Sequence, residues 1–335
     1  MIKQLPLILI TSLLLAACGG SSSGTDDGNN SISEDTNLDT GTDIAASPEI
    51  GKLSFICSAN ATTESLFTDT FVEDNWDDTS WSGPEAYEPV SVEQIASSFN
   101  TARNLDPTIK QKLLMPQQAD WNAMTSSEKG LFLVNSERCA RGLEPFEGIS
   151  PELIHSSSSY ANELSDSGEF SHSYGLYASP SARLSGYADV EVGTNADWMA
   201  QAENLSRHTS GNSSAYPTVY EPIARAIYTY LYDDSSSNYG HRTLSLIKIA
   251  NENSGDVSAE GLFGLSKTTK QFVDSPFFTT DVTSVMHVFD PNENWDMSNV
   301  LSAPTIYGPE TITDCMSGTF IESVDESGNN TSHCQ

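Results

Sequence analysis

Six histidines, His155, His172, His208, His241, His287 and His333, are the side chains best suited to hold a metal ion or move a proton near neutral pH. Their local settings differ. His155 lies among serines on a helical segment and reads as a surface residue, His287 sits mid-strand between apolar neighbours, and His333 belongs to the tail. Several familiar arrangements are absent or fail. No H-E-x-x-H or C-x-x-C occurs, which excludes a helix-borne metalloprotease site and a thioredoxin-like site. Asp290-Pro291-Asn292-Glu293-Asn294 opens like a calcium loop. It then has Trp295 where glycine is needed and Leu301 where the bidentate glutamate belongs, so it reads as a turn. Gly20-Ser21-Ser22-Ser23-Gly24 matches the nucleophile pattern of hydrolases, but no strand precedes it and no helix follows, so it reflects composition alone. No phosphate loop or dinucleotide fingerprint is present.

Five short segments gain meaning from their order. Val134-Asn135-Ser136-Glu137-Arg138, followed by Gly142-Leu143, resembles the first helix of the CAP superfamily of cysteine-rich secretory, antigen 5 and pathogenesis-related 1 proteins. Phe170-Ser171-His172-Ser173 is similar to its F-S-H motif. Ala202-Glu203-Asn204-Leu205 is similar to its G-E-N motif, with alanine for glycine, and Gly240-His241-Arg242 to the G-H-R motif of its bacterial branch. Val285-Met286-His287-Val288-Phe289 falls where that family has its closing strand. The resemblance covers residues 119–291, half of the chain, and implies an α-β-α sandwich with an open cleft in which two histidines and one or two acids converge. The matching positions are His172, Glu203 and His241. Many members carry a second acid before the G-H-R turn, and Asp233, with Asp234 beside it, is the nearest candidate. Leu244 departs from the bacterial pattern, which has asparagine there. His208 follows the E-N motif and is a candidate for the cleft rim.

Imidazole nitrogen with carboxylate oxygen suits Zn²⁺ or another divalent cation, and three protein ligands leave a position open to water. The same groups suit a general base oriented by a carboxylate. They equally suit a hydrogen-bonded cluster that only holds the cleft in shape. The reading therefore favours a protein that binds a ligand or divalent metal in a His/Glu cleft. Against it stand a metal-assisted or His/Glu hydrolase of cell-envelope or peptide substrates, and a structural or adhesion module with no cleft ligand. The partners implied are a small lipidic molecule, a cell-wall component or a protein.

The elements that must position these residues carry clear boundary signals. Thr125, Ser126 or Ser127 caps a helix expected to run to Arg141, with Gly142 as its stop. Ser150-Pro151-Glu152 starts a second, expected to end at Ser167 before Gly168, and Glu221-Pro222 starts a third that runs to Tyr232. Strand-like runs follow at 261–266 and 284–289, separated by a turn-rich stretch. Helices first and strands later predict an α+β layered domain, residues 119–291, flanked by an N-terminal extension over 51–118 with no clear period and a C-terminal extension over 292–335.

The N-terminus adds an address. Residues 1–17 hold one base and an apolar run from Leu5 to Ala17, too short for the roughly 20 residues that span a bilayer. Leu15-Ala16-Ala17-Cys18 resembles the lipobox of bacterial lipoproteins, which implies an acylated Cys18 and an exported protein anchored at the outer membrane or cell surface. Residues 18–50, rich in Ser, Gly, Thr, Asn and Asp, read as a disordered tether with a reach of roughly 30 Å. Loss of the leader, whose only charged side chain is Lys3, takes the net charge from −31 to −32. That balance argues against nucleic acid and leaves the lipid as the only membrane contact. Cys57, Cys139, Cys315 and Cys334 make an even count for an oxidising compartment, with three possible pairings; Cys57–Cys139 and Cys315–Cys334 are favoured.

Overall fold

A computed structural model describes residues 78–105, 109, 112–141, 143, 145–189, 202–246, 261–274, 276–289, 297–304, 306, 320–324 and 330–334. The leader, Cys18 and the tether lie outside the described residues.

Local capping chemistry sets four of the seven α-helix starts among the described residues. Helix α1 (Val92–Arg103) begins on a reciprocal capping box between Ser91 and Gln94, and after the short α2 (Gln118–Ala123), α3 (Ser126–Ala140) begins on another between Thr125 and Glu128. After strand β1 (Gly148–Ile149), α4 (Pro151–Ser167) takes Ser150 as its cap, proline in its first turn and Gly168 at φ 78° as its left-handed stop. Then follow α5 (Pro180–Ala188), β2 (Glu203–Asn212), α6 (Pro222–Tyr232) and α7 (Gly240–Ser245). Two long strands, β3 (Leu262–Asp274) and β4 (Phe277–Phe289), precede the two-residue β5 (Leu301–Ser302) and a separate hairpin of β6 (Phe320–Val324) and β7 (Asn330–Cys334).

The main sheet is mixed, in the order β2-β4-β3-β1-β5, with β1 parallel to β3 and the other pairs antiparallel. Side chains alternate across each strand, so successive residues feed opposite cores. Phe263, Leu265, Met286 and Val288 join α1, α3 and α6 in one cluster. Leu205, Val285 and Phe289 face the other way, toward Tyr160 and Leu164 of α4 and toward Leu153 and Leu184. Helices thus cover both faces of the sheet, a mixed α/β arrangement among the described residues.

Helices α3, α4 and α6 occupy the stretches that the capping signals predict. The strands are more extensive. Residues 267–283, expected to be turn-rich, continue β3 and β4 in register to within two residues of each other. The E-N segment opens a strand, β2, between helices, so the order is not helices first and strands later. Residues 78–118 do not stand apart: Val90, Ile95, Phe99 and Leu113 share the core of α3 and α6. Ile306 and β5 tie the C-terminal segment to the same body.

Gly264 marks a close approach of α4 to the sheet. A Cβ there would lie 2.4 Å from Leu153 Cβ and 2.6 Å from the Leu153 carbonyl carbon. Backbone cannot yield as a flexible side chain can, so Gly264→Ala is expected to lower stability by about 1–3 kcal/mol, read from a urea unfolding curve. A change within about 0.5 kcal/mol would show that α4 slides freely.

Candidate functional site

Two carboxylate–histidine pairs face each other beside β2, an edge strand. Glu203 is the first residue of β2, and its register opposite His287 of β4 points both side chains to the α4 side of the sheet. Glu203 is fully buried. His172, on the loop after α4, donates its Nδ1–H to Glu203 Oε1 at 2.8 Å. Arg183 of α5 grips the same carboxylate from beneath, Nε to Oε2 at 2.8 Å with a second hydrogen bond from Nη2 to Oε1. It also donates to the His172 carbonyl at 3.0 Å and the Tyr177 carbonyl at 2.8 Å, while its guanidinium lies 3.6 Å from the centre of the Tyr160 ring. Arg183 therefore fixes both the carboxylate and the loop carrying its histidine. Burial alone would raise the Glu203 carboxyl. The hydrogen bond from His172, the adjacent His287 and the Arg183 guanidinium more than offset it and hold the group below the usual carboxylate range.

The second pair forms where α6 ends. Asp233, the residue after α6, leaves helical geometry at φ −128°, ψ 60°. The next residue, Asp234, turns its buried carboxylate to accept from His241 Nδ1 at 2.6 Å and from the Arg242 amide at 2.9 Å. Asn204 donates to the His241 carbonyl at 3.0 Å and to Ser245 Oγ at 3.1 Å, pinning α7 against β2. The loop's hydrogen bonds thus come from Asp234 and Asn204, and Leu244 packs against the core. His241 leans on the Tyr230 ring, centroids 5.3 Å apart, and faces His172 at 6.2 Å. The His172 side chain is 33% exposed and that of His241 15%, against 0% and 1% for their acids.

His172, Glu203 and His241 are therefore neighbours, as their motifs predict, but two positions are reassigned. Glu203 has its oxygens engaged by Arg183 and His172, so it orients a histidine and offers no oxygen to an ion in this arrangement. Asp233 lines a different pocket, near Trp81 and Arg225, and the acid beside His241 is Asp234. His208 also lines that second pocket and not the rim of this cleft. His155 is exposed, as expected. His287 is a core residue, with Nε2 3.3 Å from Ser156 Oγ and 3.5 Å from Glu203 Oε2. Burial holds it down to about 4, against the pull of Glu203, so it is neutral at pH 7. Cys139, half-buried at the end of α3, is not a free thiol. Cys57, Cys315 and the side chains of Cys334 and His333 lie outside the described residues, and with them both favoured pairings.

An ionised carboxylate only accepts hydrogen bonds. Each histidine facing one through Nδ1 carries its proton there, which leaves Nε2 as the basic atom. Such a pair is what holds a metal-binding imidazole in place and equally what orients a general base. Among the described residues no group of three or more His, Cys, Asp or Glu side chains is arranged to hold a metal ion. Any ion at this place would rest on two protein nitrogens, with water completing its shell.

Comparison with models of known protein families, with curated proteins and with solved structures finds no match to this chain.

Proposed function

We propose that this chain is an exported, lipid-anchored CAP-type protein whose cleft binds a divalent cation, Zn²⁺ or one of similar preference, between His172 and His241. The observation that carries the reading is the pairing of both Nδ1 atoms with buried carboxylates, which leaves two Nε2 atoms basic on rings 6.2 Å apart. With a Zn–N bond of about 2.0–2.1 Å, imidazoles sharing an ion through Nε2 have centroids no more than roughly 6.3 Å apart, and nearer 5 Å in tetrahedral geometry. The rings stand at the outer limit, and the more exposed His172 is the one with room to close the gap. Glu203 and Asp234 would serve as the outer shell that fixes each ring's orientation and tautomer. The remaining sites on the ion would belong to water or a ligand oxygen from a cell-wall component, a lipid headgroup or a protein. The helix-covered sheet, the five ordered motifs and the Cys18 lipobox support the family and the address.

Adding Zn²⁺ to the chelator-treated protein is expected to raise its melting temperature by mass action, about 2–4 °C for each kcal/mol of binding energy. The His172→Ala/His241→Ala variant should lose that response. If the variant responds as the parent does, the ion sits elsewhere. If the parent shows no response at millimolar Zn²⁺, the cleft is not a cation site.

A structural role is favoured by one observation of its own. Arg183 neutralises Glu203 and ties it to two loop carbonyls, so the cluster is satisfied without any ligand. That reading predicts that both single histidine variants lose stability in chelator, whereas the cation reading predicts little change there.

A further inference from the structure

The segment before α1 closes a second pocket against α6 and β2. It is half-open, about 260 Å³ in volume, and lined by residues from three separate parts of the chain, among them Trp81, Glu85, His208, Arg225, Thr229 and Asp233. The volume suits a ligand of amino-acid size, below the roughly 300–1,000 Å³ that house drug-sized molecules.

Its charges do not cancel in the usual way. Arg225 is 7% exposed, yet it donates to backbone carbonyls: Tyr220 at 3.0 Å from Nε, and Pro84 and Glu85 at 2.6 and 2.9 Å from Nη2. No carboxylate lies within ion-pair distance of it among the described residues. Its guanidinium stands 4.9 Å from the Trp81 ring centre. His208 lines the same pocket, and its Nε2 is buried with no hydrogen-bond partner. A buried guanidinium whose carboxylates, Glu85 and Glu221, act on it only from beyond ion-pair contact, and a buried imidazole nitrogen without a partner, are each costly to keep. A carboxylate bound between them would relieve both. The pocket also carries acids, the half-buried Asp233 and the exposed Glu85, placed to meet a positive group. The chain's net charge of −31 repels anions, whereas it neither attracts nor repels a molecule of zero net charge.

We propose that this pocket binds a small zwitterion of the α-amino-acid class, its carboxylate toward Arg225 and His208 and its ammonium toward Asp233 and Glu85. The site shares no residue with the histidine cleft, so it stands or falls independently of that reading.

The test is calorimetric titration of the full chain with each of the twenty common amino acids, and with acetate and methylammonium as single-charge controls. At least one small amino acid is expected to bind with a Kd below 1 mM, and both controls to bind at least tenfold more weakly. Asp233→Asn should weaken binding about tenfold, the effect of losing one charged hydrogen-bond partner. Thr229→Leu, which fills the pocket from α6 without touching its charges, should abolish it. Arg225→Met should abolish it too, with circular dichroism to show that the segment before α1 still folds. No binding by any amino acid overturns the proposal, as does binding that survives both Asp233→Asn and Thr229→Leu. Equal binding of acetate would make the pocket a plain anion site and overturn the zwitterion assignment.

Discussion

Replacing Glu137 by alanine is expected to cost about 3–5 kcal/mol, because it strips the shared counter-charge from two buried arginines at once. Glu137 lies on α3 with no exposed surface, and three side chains close on it: Arg103 Nε at 2.9 Å, Arg141 Nη1 at 2.6 Å and the Tyr232 hydroxyl at 2.5 Å. Burial would raise its carboxyl, but the two arginines and the hydrogen bonds from Tyr232 and Arg141 win, so it remains ionised. Without the acid, two arginine side chains stay 4% and 1% exposed, too deep for water to replace it fully. Arg103 belongs to α1 and Tyr232 to α6, so the same acid also ties three helices together. Since a domain's whole stability is about 5–15 kcal/mol, the variant loses a large part of it. Urea unfolding gives the comparison directly. Tyr232→Phe, which removes a hydroxyl but no charge, should cost only about 1 kcal/mol. A loss below 1 kcal/mol for Glu137→Ala would mean that the arginines find water and the cluster holds nothing together.

The second large effect is acid lability in an unusual window. His208 and His287 are both held down to about 4 by burial, His208 further by the nearby Arg225. In the unfolded chain each titrates near 6.5. Above that pH both states are neutral and stability is at its full value. As pH falls from 6.5 toward 4, the unfolded chain takes up protons that the folded one refuses. Each histidine then removes about 1.4 kcal/mol per pH unit, a loss on the order of several kcal/mol across the window. The lowered carboxyls of Glu137 and Glu203 add their own loss only below the ordinary carboxylate range of 4.5. Melting temperature recorded from pH 7 to 4 should therefore fall well before the acids titrate. In the His208→Gln/His287→Gln variant that slope should flatten above pH 5. An unchanged slope would place the sensitivity in other groups.

What the sequence shows and what it hides follow from the range of the forces involved. The ends of α3, α4 and α6 are readable because caps are local: Thr125 with Glu128, Ser150 with Pro151 and Gly168, and Pro222 in a first turn. Helix α1 falls in the segment given no element, although a local signal is there: Ser91 and Gln94, then Ile95, Phe99 and Ala102 on one face. Strand β2, E-N-L-S-R-H-T-S-G-N, has no clean alternation of apolar residues and is a strand because β4 pairs along its whole length. The outer halves of β3 and β4 are threonine-rich and partly exposed, so hydropathy alone does not reveal them. In the site, His172, Glu203 and His241 are legible through ordered motifs. Arg183 is not, since its partner lies 20 residues on and nothing local marks it as buried. Asp234 escapes by one residue because helical counting fails once the backbone leaves the helix at Asp233.

The strand order also mixes pairings that are close in the chain with pairings that are far apart. β3 and β4 are joined over two residues, and such hairpins form in about 1–10 μs. β1 must instead find β3 in parallel across more than a hundred residues, from Gly148 to Leu262, and β2 must find β4 from Glu203 to His287. Loop closure of that length makes the distant pairings slow, in the millisecond-to-second range of high-contact-order folds. The β3–β4 pairing is thus local, and the pairing of β2 with β4 is not. His172 and His241 meet only across the edge that β2 supplies, so their facing geometry depends on a pairing that is distant in the chain.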